Sequence, residues 1–197
     1  FAQVTNPPID AYREKIVTSE LTYLGGEGNV LKPGPDALKR VQLKHPVLTE
    51  HQLQHIASHA LKTAYFSTGY TENLKEALNN LGKAVIEAVQ QGVEVVVLED
   101  KSVSEATRFA MPMLLAVSHI HQLLIRHDLR MQTSIVAMSG EMREVHHLAC
   151  LVGYGANAVV PYLAQKTVAD LTENNRIHGD VASNVAQLNT IFSEGLI

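Results

Sequence analysis

Apolar and polar residues along this chain repeat with two periods that alternate from residue 49 to the end. Residues 71–91 carry leucine, alanine and valine at helical spacing, and Gly92 ends that pattern. Residues 93–98 follow as a valine-rich run, which is typical of a strand buried on both faces of a parallel sheet. The pattern predicts strands at 62–67, 93–98, 133–138 and 156–160, and helices from Thr49 and at 71–91, 105–126, 141–152, 164–173 and 181–195.

This order of elements predicts an α/β fold. Strands that alternate with helices form parallel sheets with right-handed crossovers and helices packed on the faces. We therefore expect a parallel β-sheet of about four strands with packed helices, arranged like half of a (β/α)8 barrel.

The first 48 residues have no such periodicity. Proline and glycine interrupt them at Pro7-Pro8, Gly25-Gly26 and Pro33-Gly34-Pro35. We predict an irregular N-terminal arm over 1–48, with helices near 10–19 and 35–40, and a βα-alternating core over 49–197. No linker divides the two, so residues 1–197 are expected to form a single domain. The chain opens without Met and stops inside a predicted helix, which indicates a piece excised from a larger multidomain chain.

Composition and charge narrow the classes of function. With 46% hydrophobic residues among 197, the chain can close a core of its own. Its net charge of -4 gives no positive field for a phosphate backbone, so nucleic acid is not expected as a partner. No apolar run reaches the roughly 20 residues that cross a bilayer, so a membrane is not expected either. The chain has one cysteine, Cys150, so it cannot form an internal disulfide. We interpret Cys150 as a buried reduced thiol, which favours the cytoplasm as the compartment.

Ten histidines raise the question of a metal site. Glu144 and His147 are spaced to bind a metal from one helical face, with His119 and His121 as a second pair. However, His119 and His121 fall on nearly opposite faces of a helix. We interpret these histidines as structural or surface residues and predict no metal site.

One loop is the best candidate for a ligand. Ser139-Gly140-Glu141 lies where a predicted strand ends and a helix begins, which is where α/β proteins usually place ligands. Free backbone N–H groups at Ser139 and Gly140 would make a weak anion site, although Glu141 and Glu144 already bring negative charge there. Ser139 is not in a G-x-S-x-G elbow, and we predict no catalytic residue.

The glycines of Gly153-Tyr154-Gly155 resemble part of a dinucleotide fingerprint. That fingerprint must follow a strand and open a helix, whereas these glycines follow a predicted helix and precede a strand. They therefore predict a helix end and a tight turn.

Two long stretches at opposite ends of the chain carry a family resemblance. Residues 1–14 (FAQVTNPPIDAYRE) and 138–164 (MSGEMREVHHLACLVGYGANAVVPYLA) are similar to the central domain of the large (alpha) subunit of glutamate synthase. The similarity covers almost the whole chain in order. The sequence departs from the family at Glu99-Asp100-Lys101, where serine, Asp and Arg are common, and at Asn157, where Asp is frequent.

The resemblance implies a parent oxidoreductase of glutamate biosynthesis and nitrogen assimilation. It converts L-glutamine and 2-oxoglutarate, with two electrons, into two molecules of L-glutamate. In that family a glutaminase domain precedes this segment, and a (β/α)8 barrel carrying FMN and an iron–sulfur cluster follows it. The resemblance implies that the central domain holds no cofactor and performs no catalytic step. It joins its two partner domains and helps to wall the internal passage for ammonia.

We expect the ammonia passage to be lined by Gln3, Val4, Thr5 and Asn6, because a non-periodic backbone can present carbonyl acceptors to a neutral amine. Two alternatives stay open at this point. One is a stand-alone α/β enzyme or an anion- or phosphate-binding domain that uses the loop at 139–141. The other is a module that forms an oligomer through exposed interdomain surface.

Overall fold

Four parallel strands form the centre of the structure, a computed structural model that describes residues 18–29, 31, 34, 39–104 and 109–197. The strands are β1 (Thr22–Leu24), β2 (Val41–Leu43), β3 (Thr63–Ser67), β4 (Gly69–Tyr70), β5 (Val95–Glu99), β6 (Phe109–Ala110), β7 (Ser134–Met138) and β8 (Ala158–Val160). The helices are α1 (Glu50–His59), α2 (Leu74–Gln90), α3 (Met113–Arg126), α4 (Val145–Gly153), α5 (Tyr162–Glu173) and α6 (Val181–Glu194). None of the helices in these described ranges is long and apolar enough to cross a membrane.

The central sheet has the strand order β3-β5-β7-β8, and all three strand pairs are parallel. Consecutive strands of the sheet are joined through α2, α3 and α4, as in half of a (β/α)8 barrel. The predicted α/β class, with about four parallel strands and packed helices, is confirmed. The outer edge of β8 is covered by the segment before α1, because Val159 N donates to Pro46 O and Leu48 N donates to Val159 O, each at 2.8 Å.

Each face of the sheet packs against a separate hydrophobic cluster. Val96 and Leu98 of β5 face α2, α3 and α4, together with Phe192 of α6. Val95 and Val97 of the same strand belong to the cluster on the opposite face. Every residue of β5 and β7 is buried, which is why four consecutive residues of each strand, 95–98 and 135–138, are apolar instead of alternating with polar residues.

Helix α1 and part of the arm cover the face that would line the inside of a full barrel. Leu53 of α1 and Leu24 of β1 pack in the same cluster as Val97. Helix α1 starts in a capping box, in which Thr49 Oγ1 accepts from Gln52 N (3.2 Å) and Gln52 Oε1 accepts from Thr49 N (2.9 Å). The concave face is therefore filled by side chains of this chain itself.

The arm contains an antiparallel strand pair that the sequence pattern did not predict. Strand β1 pairs with β2, with Tyr23 opposite Gln42. Strands of three residues are too short to show a period in the sequence. Leu24 of β1 packs in the same cluster as residues of the central sheet. The helices predicted near 10–19 and 35–40 fall almost entirely outside the described residues.

Two helices begin later than the sequence predicted. Residues 105–126 were expected to form one helix, but Phe109–Ala110 is a strand paired with β4, and α3 begins at Met113 after Pro112. Proline lacks an N–H and disfavours helical backbone in the residue before it, so a helix begins there instead of continuing through it. Helix α4 begins at Val145 and not at Glu141, with Glu144 in the N-cap position.

Candidate functional site

The carboxyl ends of the parallel strands bring loops from four strands to one edge of the sheet. Strand β3 ends at Ser67, β5 at Glu99, β7 at Met138 and β8 at Val160. In α/β proteins the ligand site lies at this edge. A catalytic or binding site of this chain would therefore be built from these loops.

Asp100 is the centre of the polar contacts at this edge. Its Oδ2 accepts a hydrogen bond from Ser139 Oγ (2.5 Å), and both of its carboxylate oxygens lie 3.1 Å from Gly140 N, which donates to them. Ser139 Oγ also accepts from Glu141 N (3.0 Å). Asp100 thus joins the loop after β5 to the loop after β7.

Tyr162, the first residue of α5 after β8, completes this cluster. Burial raises the pKa of the Tyr162 hydroxyl above its ordinary value, and a hydrogen bond to Asp100 raises it further. The charges of Asp100, Glu99 and Glu50 act in the same direction. The hydroxyl therefore stays protonated and serves as a donor to the Asp100 carboxylate.

Glu99 is buried, with 7% of its surface exposed, and its carboxylate is bonded within its own loop. Ser102 N donates to Glu99 Oε2 (2.8 Å), and the Ser102 hydroxyl contacts Glu99 Oε1. The Ser67 and Ser102 hydroxyl oxygens lie 2.9 Å apart, which links the end of β3 to the same group. Beside it, Lys101 Nζ is paired with Glu50 Oε2 at 2.6 Å.

Glu141 contacts the start of a neighbouring helix. Its Oε2 accepts from Met113 N (3.0 Å), one of the backbone donors at the first turn of α3. The sequence interpretation placed Glu141 and Glu144 in the first turn of the helix after β7. Glu141 lies instead in the preceding loop, and its carboxylate caps α3 because Pro112 offers no side-chain cap.

These contacts bear on the weak anion site predicted at Ser139 and Gly140. The donors such a site needs, the Ser139 hydroxyl and the Gly140 N–H, already bind Asp100. The loop is also close-packed, since a Cβ on Gly140 would lie 3.1 Å from Tyr162 Oη. The anion site stays a prediction, and an anion would have to displace the Asp100 carboxylate to use these donors.

The histidines considered as metal ligands are dispersed. His147 Nε2 lies 3.5 Å from Glu144 Oε1, as their spacing predicts. His119 lies on α3 beside Gly82 of α2, and His121 contacts Arg130. In the described ranges, no group of three or more His, Cys, Asp and Glu side chains is placed to hold a metal ion.

The interpretation of Cys150 as a buried thiol is wrong. Cys150 is partly exposed, and its Sγ lies 3.6 Å from His146 Nε2. These residues are one helical turn apart on α4. Of its apolar neighbours in sequence, Leu148 and Leu151 are buried whereas Ala149 and Val152 are exposed, so these neighbours did not indicate burial of Cys150.

The turn after α4 agrees with the prediction from its glycines. Gly153 is the last residue of α4, and Gly155 has a φ of +118°, a conformation that residues with a side chain rarely adopt. A Cβ at Gly155 would lie 2.3 Å from His121 Nδ1. The glycine is required both by the backbone conformation and by the close approach of α3.

Arg130 makes a second polar cluster at the opposite, amino-terminal edge of the sheet. Its guanidinium donates to His121 Nδ1 (3.0 Å), Thr133 O (2.8 Å), Gly155 O (3.0 Å) and Asn157 Oδ1 (2.9 Å). Asn157 Oδ1 also accepts from Ile135 N (2.9 Å). The amide oxygen of Asn157 thus takes the acceptor position that the more frequent Asp would supply.

The FMN and the iron–sulfur cluster implied for the parent enzyme do not fit the residues described. A flavin phosphate needs free backbone donors at a strand-to-helix turn, and Asp100 occupies those after β7. An iron–sulfur cluster needs several cysteine thiolates, and the chain has one cysteine. We assign neither group to this chain.

Asp100, Tyr162 and Arg130 were not recognised as site residues from the sequence. Asp100 is separated from Gly140 by 40 positions, and Arg130 from Asn157 by 27. The position of Asp100 directly after a buried strand is the one signal that could have found it. No local pattern marks Arg130 or Tyr162.

The fold and its edges define a class of protein. It is a half-barrel-like βα-sheet domain whose concave face is filled by its own helix and whose strand-end loops are closed by hydrogen bonds among themselves. A family model described as "Glutamate synthase central domain" matches residues 1–197, and the chain belongs to this family.

Individual relatives agree with the family. The large chain of the NADPH glutamate synthase of Bacillus subtilis (strain 168) is 42% identical over 200 residues, covering 100% of this chain and 13% of that protein. Ferredoxin-dependent glutamate synthase 2, chloroplastic, of Arabidopsis thaliana is 43% identical over 89% of this chain and 11% of that protein. This chain therefore spans only a small part of the length of these relatives.

Among solved structures, a flavocytochrome b2 variant with benzoylformate aligns with a TM-score of 0.47 at 14% identity, over 76% of this chain and 33% of that one. The alternative of a stand-alone enzyme or anion-binding domain is not supported, since the segment similar to this chain makes up only 13% and 11% of these two glutamate synthases.

Proposed function

We propose that this chain connects a glutaminase domain to an FMN-binding synthase barrel within a longer glutamate synthase chain, and that it performs no bond-making step itself. The parent enzyme converts L-glutamine and 2-oxoglutarate, with two electrons, into two molecules of L-glutamate. FMN and an iron–sulfur cluster belong to the other parts of that enzyme. Membership of the central domain family supports this proposal.

The non-catalytic role is supported by the carboxyl-terminal edge of the sheet, where the polar groups around Asp100 are bonded to one another. Ser139, Gly140 and Tyr162 are the groups that would bind or polarise a substrate there, and all of them bond to this one carboxylate. A catalytic site instead needs convergent polar groups with a free reaction partner. Strand-end loops that are bonded to one another through Asp100 suit a rigid connecting domain.

We further propose that residues 1–197 fold as one domain of that chain, with 1–48 as an arm on a 49–197 core. Gly25 N donates to Ser134 Oγ (3.0 Å), which supports a single domain because it ties the arm to the sheet. The unpaired Cys150 suits a reducing compartment such as the cytoplasm.

Formation of an oligomer through exposed interdomain surface stays a prediction, which light scattering at several concentrations can check.

Gln3, Val4, Thr5 and Asn6 remain our proposed lining of the ammonia passage. They lie outside the described residues, so the proposal depends on the sequence argument alone. Their irregular, uncharged sequence suits a wall that accepts hydrogen bonds from ammonia without protonating it.

A bulky side chain in that passage should separate the two half-reactions of the parent enzyme. In the full-length enzyme, Thr5→Trp should leave glutamine hydrolysis active and lower glutamate formation from 2-oxoglutarate, so that more glutamine is consumed per 2-oxoglutarate converted. Added ammonium should restore glutamate formation. Thr5→Ser serves as the control, and an unchanged ratio of the two rates in Thr5→Trp would contradict the proposed lining.

A further inference from the structure

The outer edge of β3 is a sheet edge on which no strand lies in the described part of the chain. The sheet runs β3-β5-β7-β8, so β3 is terminal. Lys62 O accepts from Val95 N (3.2 Å) and Thr68 N donates to Glu99 O (2.8 Å), which fixes the residues that face β5. In a parallel ladder, successive residues direct their backbone N–H and C=O groups toward opposite edges of the strand. Thr63, Tyr65 and Ser67 therefore direct their backbone N–H and C=O groups outward.

This edge lacks the features that usually prevent strand addition. Sheet edges in soluble proteins are protected by charged side chains, proline or bulges. Strand β3 has the sequence TAYFS, without charge or proline, and its register with β5 is unbroken over all five residues. The neighbouring Lys62 does not protect it, because Lys62 Nζ donates to Gln91 O at 2.6 Å.

A groove of about 610 Å³ runs beside this edge, between β3 and the first half of α2. Phe66, Ala77 and Leu81 supply apolar surface to it, and the side chain of Tyr65, 49% exposed, stands at its rim. Side chains of an added strand would alternate between this groove and the Tyr65 side of the sheet. The groove therefore suits an extended segment with apolar residues at every second position.

The charges of the groove indicate which kind of segment fits. Its charged lining residues are Glu72 and Glu76, and no lysine or arginine lines it in the described ranges. A second copy of this chain would bring the same glutamates, and its net charge of -4, against them. A segment with lysine or arginine is complementary. The segment that matches this chain makes up 13% of the Bacillus subtilis relative, so under the proposed function most of the parent chain would lie outside these residues.

We propose that the outer edge of β3 binds an extended segment from another part of the parent chain, which adds a strand beside Thr63, Tyr65 and Ser67 and places basic side chains next to Glu72 and Glu76. The inference rests on the proposed function in one respect, namely that this chain is part of a longer glutamate synthase chain. It goes beyond that function by assigning a docking surface and the chemistry of its partner.

Amide hydrogen exchange tests the added strand directly. In the 197-residue chain, the amides of Thr63, Tyr65 and Ser67 should exchange fast, and those of Ala64 and Phe66 slowly, because only the latter bind β5. In the full-length parent all five should be slow, with the outward three slowed at least about tenfold. Equal exchange of the outward three in both proteins would overturn the inference. It would leave the proposed passage lining, which the Thr5→Trp assay tests separately, unaffected.

A proline at position 65 tests the direction of the hydrogen bonds. Tyr65→Pro removes one N–H on the outward side and none of the bonds to β5, so the 197-residue chain should keep its fold. In the parent, the slow exchange of Thr63 and Ser67 should be lost, whereas Tyr65→Phe should retain it. Retained protection in Tyr65→Pro would contradict strand addition.

A second set of variants tests the charge without touching the strand. Glu72→Gln with Glu76→Gln should speed exchange of the outward amides in the parent, whereas Glu87→Gln, on the exposed far part of α2, should not. An equal effect of both changes would contradict the basic segment. A concentration-dependent dimer of the 197-residue chain that Tyr65→Pro abolishes and Tyr65→Phe keeps would assign the edge to a second copy and overturn the proposal.

Discussion

His121 and Arg130 show how one contact couples this fold to pH. His121 Nδ1 accepts a hydrogen bond from Arg130 Nε (3.0 Å), so the ring must be neutral at that nitrogen. Burial lowers the pKa of His121 below its ordinary value, and the charge of Arg130 lowers it further. The folded protein therefore binds a proton here less readily than the unfolded chain.

This difference predicts that the fold loses stability on the acid side. The contribution of His121 is complete above its unfolded pKa of about 6.5 and is lost as the pH falls from there through the lower pKa of the folded state. Urea unfolding at about pH 7.5 and about pH 5.5 should show that the free energy of unfolding falls less on acidification in His121→Gln than in the unsubstituted 197-residue chain. His127→Gln, at an exposed position after α3, is the matched control. An identical pH dependence of all three proteins would contradict the assignment.

At the scale of elements, the turn between α4 and β8 offers a pair of glycines with opposite expectations. Gly155→Ala should cost about 2–4 kcal/mol, because its φ is positive and the new Cβ would overlap the His121 ring. Gly153→Ala should be neutral or stabilise by up to about 1 kcal/mol, since it is helical and nothing lies within 4 Å of its Cβ position. Chemical denaturation measures both. Similar losses in the two variants would show that the turn does not depend on Gly155.

The same elements show what the sequence could predict. Helix α1 was predictable because its signal, the Thr49 and Gln52 capping box, is local, and β5 because valine runs mark strands buried on both faces. The start of α3 was misplaced although Pro112 marks it. The closed edge was not predictable, because Asp100 meets Gly140 only after two strands pair. The residues next to Asp100 in the sequence do not show whether its carboxylate is free or is bonded to a distant loop.

At the scale of the whole molecule, the arm and the sheet share one core. Leu24 is fully buried and packs in the same cluster as Val97 and Val136 from the centre of the sheet. Ser134 Oγ donates to Gly25 O (3.1 Å), and the Ser193 hydroxyl of α6 contacts Glu20. These contacts connect residues near both ends of the described chain. The arm should therefore unfold together with the core and not as a separate unit.

The helical signal can show whether the arm and the core unfold together, because the described part of the arm contains strands and turns but no helix. Leu24→Ala should lower the free energy of unfolding by about 2–5 kcal/mol and shift the far-ultraviolet circular dichroism transition, which follows α1 to α6. Leu31→Ala removes the same atoms from a side chain that is 92% exposed, so it should change stability by less than about 0.5 kcal/mol. If the arm folded independently, Leu24→Ala would leave the helical transition where it was. A single shifted transition would instead mean that residues on both sides of position 49 depend on one another for their fold.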